Sequence, residues 1–143
     1  MIASSGGKVL LDSCFLVRCR AENSGQALET LVHKLLQGGF TFFVTRSILR
    51  EVDRLAIKSI PDAVEGGAWA LLTKHLVFLD DRTPEIVWEA QRILTHPPDN
   101  MHIAAAKLEG AAIVSFDRLL LRIARAEGIE AYDPQQLLDR LAN

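Results

Sequence analysis

The sequence predicts an α/β fold: a three-layer α/β/α sandwich around a five-stranded, mainly parallel sheet. Three observations predict it. Short apolar runs alternate with segments whose apolar residues recur every three or four positions. Each gap between runs is long enough to hold a crossover helix, which parallel neighbours need, and right-handed crossovers put helices on both faces of the sheet. The chain has 143 residues, 49% of them hydrophobic, which suits one domain of ordinary size with a sizeable core.

The first run is Val9–Leu11, in "KVLLDSC", and a helix-like segment holding Cys14 and Cys19 follows it. In "SGQALETLVHKLLQGG", Leu28, Leu31, Val32, Leu35 and Leu36 share one helical face, and Gly38 is a stop signal. Phe40–Val44 is the second run, leading into the helix "TRSILREVDRLAIKS". The segment "DAVEGGAWALLTK" reads as a helix whose least regular part is "EGGAW". Leu76–Leu79 is the third run, and Pro84 opens the helix "TPEIVWEAQRIL" after it. Pro98 opens "PPDNMHIAAAKLEG", which Gly110 closes. Ala111–Val114 is the fourth run, "DRLLLRIARAEG" its helix, and Ile129–Ala131 a short fifth run after Gly128. There is no internal repeat, linker or low-complexity tract, so residues 1–143 are expected to form a single domain.

The net charge of −2 gives no global attraction to phosphate, so a nucleic-acid surface would have to be local or assisted by cations. Cys14 and Cys19 match no metal spacing and read as reduced thiols. "MIASSGGK" lacks the pattern of a signal peptide, and no apolar run approaches the ~20 residues of a membrane span. The cytoplasm is therefore the expected location.

Two runs finish on a carboxylate. Asp12 follows the first, and Asp117 follows the fourth with Ser115 and Phe116 between. In open parallel sheets, function gathers outside the C-terminal strand ends where strand order reverses. If the first and fourth strands are neighbours there, the two acids face each other. Glu51, about two turns into the helix after the second run, and Asp99, at the head of the helix before the fourth, can join them. Each acid also has a purely structural use. Asp12, Asp99 and Asp117 suit helix caps or first turns, and Glu51 suits a solvated helix face. Their accumulation at one edge carries the functional reading. Two unit charges about 4 Å apart repel by about 4 kcal/mol at an effective dielectric of 20. Several such pairs weigh heavily against a total stability of about 5–15 kcal/mol. Hard dications relieve that repulsion, and oxygen-only donors suit Mg²⁺ or Mn²⁺. Such ions activate water and stabilise the leaving oxygen of a phosphodiester.

At these residues the sequence resembles the PIN domain family, which includes VapC-type and PilT N-terminus-like nucleases. The resemblance spans roughly Lys8 to Leu138 and rests on "VLLDSCFLV", "VTRSILREVDRL", "PPDNMHIAAAKLEGAAIVSFD" and "ARAEGIEAYDPQQLL". It departs from the family in "EGGAW" and at Phe116, where a polar or basic residue is frequent. It implies a Mg²⁺- or Mn²⁺-dependent ribonuclease acting on single-stranded or structured RNA. Asp12, Asp99 and Asp117 would ligate metal, and Glu51 would ligate it or orient the attacking water. Ser13 and Ser115 would support them from behind. Asn100, directly after Asp99, suits either contact with the metal shell or substrate or a cap or turn. Arg118 and Arg46 would meet RNA phosphates. An antitoxin protein and a homodimer are the implied partners.

Among the histidines, His102 lies three residues after Asp99 on the same helical face, where ordinary structural use is the expectation. Trp69 and Trp88 read as core or interface residues. Two rival functions exist. A PIN-like scaffold that binds RNA or protein without cutting shares every feature above. A phosphoacceptor receiver domain is suggested by "LVFLDDRTP", but "LLDSC" has one acid where that fold needs two, and no lysine follows the last run.

Overall fold

The computed structural model describes residues 7–21, 27–59 and 67–142, and their side chains except those of 56–59. The start "MIASSG", the first three residues of "SGQALETL" and the Asp62–Gly66 part of the "EGGAW" region lie outside the described residues. In chain order the elements are β1 (Lys8–Leu11), α1 (Ser13–Ala21), α2 (Ala27–Gln37), β2 (Thr41–Thr45), α3 (Arg46–Ser59), α4 (Gly67–Thr73) and β3 (Leu76–Leu79). They continue with α5 (Pro84–Gln91), α6 (Asp99–Glu109), β4 (Ala112–Val114), α7 (Arg118–Ala126), β5 (Ala131–Tyr132) and α8 (Pro134–Leu141).

The five strands form one sheet in the order β3-β2-β1-β4-β5, and every pairing is parallel. The helices complete a three-layer α/β/α sandwich of the predicted kind. Val9, Leu10 and Leu11 are all at most 1% exposed, which is why β1 reads as an unbroken apolar run: a central parallel strand is covered on both faces. β3 is one of the two edge strands, and its Val77 and Phe78 are exposed. Strand order reverses at β1, whose chain continues to β2 and β3 on one side while β4 and β5 lie on the other. The register Leu11↔Val114 then sets Asp12 beside Ser115, and the Asp12 N–H donates to the Val114 carbonyl at 3.0 Å.

Local signals end the elements as their chemistry requires. Thr83 caps α5 through its side chain, with Pro84 in the first turn. Gly110 closes α6 in the left-handed conformation at φ 72°, its N–H returning to the Ala106 and Lys107 carbonyls. Asp133 and Gln136 form a reciprocal capping box on α8. Several strand limits shift by a residue from the sequence reading, and two larger differences have a visible cause. The fifth strand is Ala131–Tyr132, because the Gly128 and Ile129 N–H groups are engaged by the Arg125 and Ala124 carbonyls that close α7. α5 stops at Gln91, where Arg92 and Ile93 make tighter bonds to Glu89 and Ala90, and Leu94 is left in solvent. Trp88 on α5 is also exposed rather than core, with Arg92 over its ring at 5.0 Å.

α5 is held to α6 by the Lys107 ammonium, 2.7 Å from Glu89. The hydrogen bond from Lys107 outweighs burial and, with the charges of Lys107 and Arg92, holds the Glu89 carboxyl below its ordinary value of 4.5. A depressed folded-state pKa gives stability that is complete above the unfolded value and is lost as pH falls through the folded one. Glu89→Gln is therefore expected to lower the melting temperature at pH 7 and to flatten its decline below about pH 4.5. Melting curves from pH 3 to 7 check this, and parallel curves for the two proteins would refute it.

Candidate active site

The site lies at the C-terminal ends of β1 and β4. Asp12 follows β1 directly and is 6% exposed. Its carboxylate accepts from the Ser115 hydroxyl at 2.8 Å and from the Cys14 thiol at 3.1 Å. His102 Nδ1 approaches its other oxygen at 3.4 Å. Burial alone would raise the Asp12 carboxyl, but His102, then Cys14 and Ser115, bring it below its ordinary range, so it is held as a carboxylate.

Asp99 opens α6 as a first-turn acid, one turn before His102, whose Nδ1 is 4.0 Å from it. Burial, followed by the negative charges of Asp12, Asp117 and Glu51, pushes the Asp99 carboxyl above its usual range against the pull of His102. Asp12, Asp117 and Glu51 thus each lie within electrostatic reach of Asp99. Glu51 is the sixth residue of α3 and is half-buried. It accepts a 2.6 Å hydrogen bond from Ser13, the residue after Asp12.

Asp117 is both a cap and a member of the acidic edge. It is the exposed N-cap of α7, with Oδ1 accepting from the Leu119 and Leu120 N–H groups. Its own N–H donates to Ser115 Oγ at 2.9 Å. Ser115 therefore links the backbone of one acid to the carboxylate of another. Ser115→Ala is expected to cost about 1.5–3 kcal/mol, the range for a hydrogen bond to a charged group. Urea unfolding measures this, and a loss below about 0.5 kcal/mol would show the bridge to be slack.

The remaining candidates separate. Asn100 donates to the Ala90 carbonyl of α5 at 3.3 Å, which holds α5 to α6, while its amide oxygen accepts from the Met101 N–H within α6. Arg118 lines a pocket beside Arg122, Arg125, Asp133 and Gln136. Arg46 heads α3 and lines another with Asp80, Asp81 and Arg82 at the end of β3.

Two site residues carry no strong sequence signal. His102 is 1% exposed, and neither ring nitrogen has a hydrogen-bond partner of good geometry. Its spacing from Asp99 is the one available clue. Cys14 is not merely a filler thiol: it contacts Asp12, Ser115 and the Phe116 N–H. Burial and the Asp12 charge push it up to about 11, which keeps it a neutral donor.

Among the described residues, no three acid, histidine or cysteine side chains close into a ready metal cage. Mg²⁺ seldom needs one, since it keeps several waters and binds through one or two carboxylates. The carboxylate oxygens of Asp12 and Asp99 are donors of the kind such an ion takes, and the negative charges of Asp12, Asp117 and Glu51 acting on Asp99 favour added positive charge there.

The PIN domain model matches residues 9–126. The chain belongs to the PIN domain family. Solved structures agree in fold. A Pyrobaculum aerophilum protein is 21% identical with a TM-score of 0.61, over 94% of this chain and 95% of its own. A PilT N-terminus domain protein from Sulfolobus solfataricus is 15% identical with a TM-score of 0.59, over 94% and 92%. VapBC2 from Rickettsia felis, solved with a DNA fragment from their promoter, gives 12% identity and a TM-score of 0.56 over 88% and 98%. No curated protein matches in sequence. This PIN domain carries Asp80 just past the edge strand β3, away from the reversal between β1 and β4, so the receiver reading falls.

Proposed function

We propose that this PIN domain is a divalent-metal-dependent endoribonuclease that hydrolyses phosphodiester bonds of RNA. The observation that carries it is the buried, ionised Asp12 at the sheet reversal, with Asp99 under the charges of Glu51 and Asp117. Asp12 and Asp99 would hold Mg²⁺ or Mn²⁺, with Asp117 and Glu51 at its margin. A bound dication supplies positive charge to the phosphate and lowers the pKa of water. Glu51, fixed by the Ser13 hydroxyl, orients a water or takes its proton. Ser115 keeps the Asp12 carboxylate aimed and joins the Asp117 backbone to it. Arg118 and Arg46 contribute positive charge along the edge for phosphates.

The likeness to VapBC2 supports an antitoxin as partner. Exposed Trp88 and Phe78 suit a homodimer contact. Among the described residues, no helix is long and apolar enough to cross a membrane, which is compatible with the cytoplasmic setting we propose for RNA cleavage.

The test is cleavage of a varied panel of RNAs by the purified chain. Cleavage with Mn²⁺ that EDTA stops is expected. RNA left intact under both conditions, with Mn²⁺ giving no rise in melting temperature, would overturn the reading in favour of a binding module.

A further inference from the structure

A groove of about 480 Å³, mostly apolar, is lined by Leu28, Leu31, Phe116 and Leu138, with Arg18 and Gln135 as its polar rim. Phe116 immediately precedes Asp117, so groove and acidic edge are one peptide apart. The ring of Phe116 is seated against buried Phe15, at 6.1 Å between centroids and 24° between planes. The exposed Arg18 guanidinium lies over Phe116, 4.3 Å from its centroid. Phe116 is also fixed at its backbone, where its N–H donates to the Cys14 thiol that touches Asp12. A stack of two rings and a guanidinium is thus assembled next to the acids.

Such a surface has a specific chemical match. Nucleobases stack on aromatic rings and on arginine planes, and every base offers a flat face to such a platform. Aliphatic walls with one amide at the rim suit a flat heterocycle with polar edges. The positive charge of Arg18 also favours the phosphate that accompanies the base.

We infer that this groove is a base-stacking subsite, in which one nucleobase next to the scissile phosphate lies on Arg18, backed by Phe116, with Gln135 at the base edge. The inference rests on the nuclease reading and extends it. The substrate is a strand whose neighbouring base is unpaired and turned out of its stack. A fully paired helix does not satisfy the groove.

The experiment uses the full chain in EDTA, so that binding is read without cleavage. Anisotropy of a labelled single-stranded RNA is compared with that of strands made abasic at one position at a time. Arg18→Gln, on an exposed residue, is expected to weaken the intact strand about five- to tenfold. One abasic position should cost the same factor, and the two changes together should cost no more than either alone. Lys74→Gln, at the opposite edge of the sheet, should change nothing. Equal loss with intact and abasic strands would reduce Arg18 to a phosphate contact and overturn the subsite, as would no loss at all. If wild type cuts RNA with Mn²⁺ but shows no coupling, the subsite alone fails. If wild type neither binds nor cuts, the nuclease reading fails with it.

Discussion

Asp12→Asn is expected to lower RNA cleavage about a thousandfold or more while the protein remains folded. Charge stabilisation by a bound dication is worth several kcal/mol in the transition state, and each 1.36 kcal/mol is a factor of ten. Asn keeps the size of Asp and an oxygen that can accept from Ser115, so the buried contact at 2.8 Å has a neutral replacement. What disappears is the negative charge that the surroundings keep on Asp12. The second readout is thermal. Saturating Mn²⁺ at about a hundred times its Kd should stabilise wild type by about 2.7 kcal/mol and leave the variant unmoved. A variant that cuts RNA at the wild-type rate would remove Asp12 from the chemistry, whatever the fold.

Phe42→Ala is expected to destabilise the protein by about 3–5 kcal/mol. Phe42 is fully buried in β2, and that strand pairs with β1 at Val9 and β3 at Leu76. The cost combines lost transfer energy with a cavity that a central strand, pinned on both sides, closes poorly. It is a large share of a typical stability of about 5–15 kcal/mol, so partial unfolding near body temperature should follow. Urea titration should show a lower midpoint with an unchanged slope. A loss under about 1 kcal/mol would mean that the sheet centre repacks freely, contrary to its density.

Much of the acidic edge is legible in the amino-acid sequence. Asp12 and Asp117 stand out because a strand that is apolar to its last residue must stop where it leaves the core. Glu51 stands out through its place on the helix after the second run and through the family resemblance, since a lone glutamate on a helix usually faces water. Its bond to Ser13 is a contact across 38 residues that no periodicity reveals. Asn100 follows Asp99 in sequence, and no local pattern reveals that its amide reaches across to another helix. Trp88 shows the limit of reading helices by residue type: a tryptophan in a helical segment is expected in a core or interface, and the position of α5 leaves its ring exposed.

The alternation of strands and helices, most of their limits and the residues available at strand ends are written into the chain locally. They follow from short periods and caps, which act within a few residues. Long-range packing fixes β1 between β2 and β4, because only there are both faces of its apolar run covered. That placement, across about a hundred residues of chain, sets Ser115 and Cys14 against Asp12 and packs His102 behind it. Local chemistry supplies the donors, but burial of distant strands against one another decides which of them meet.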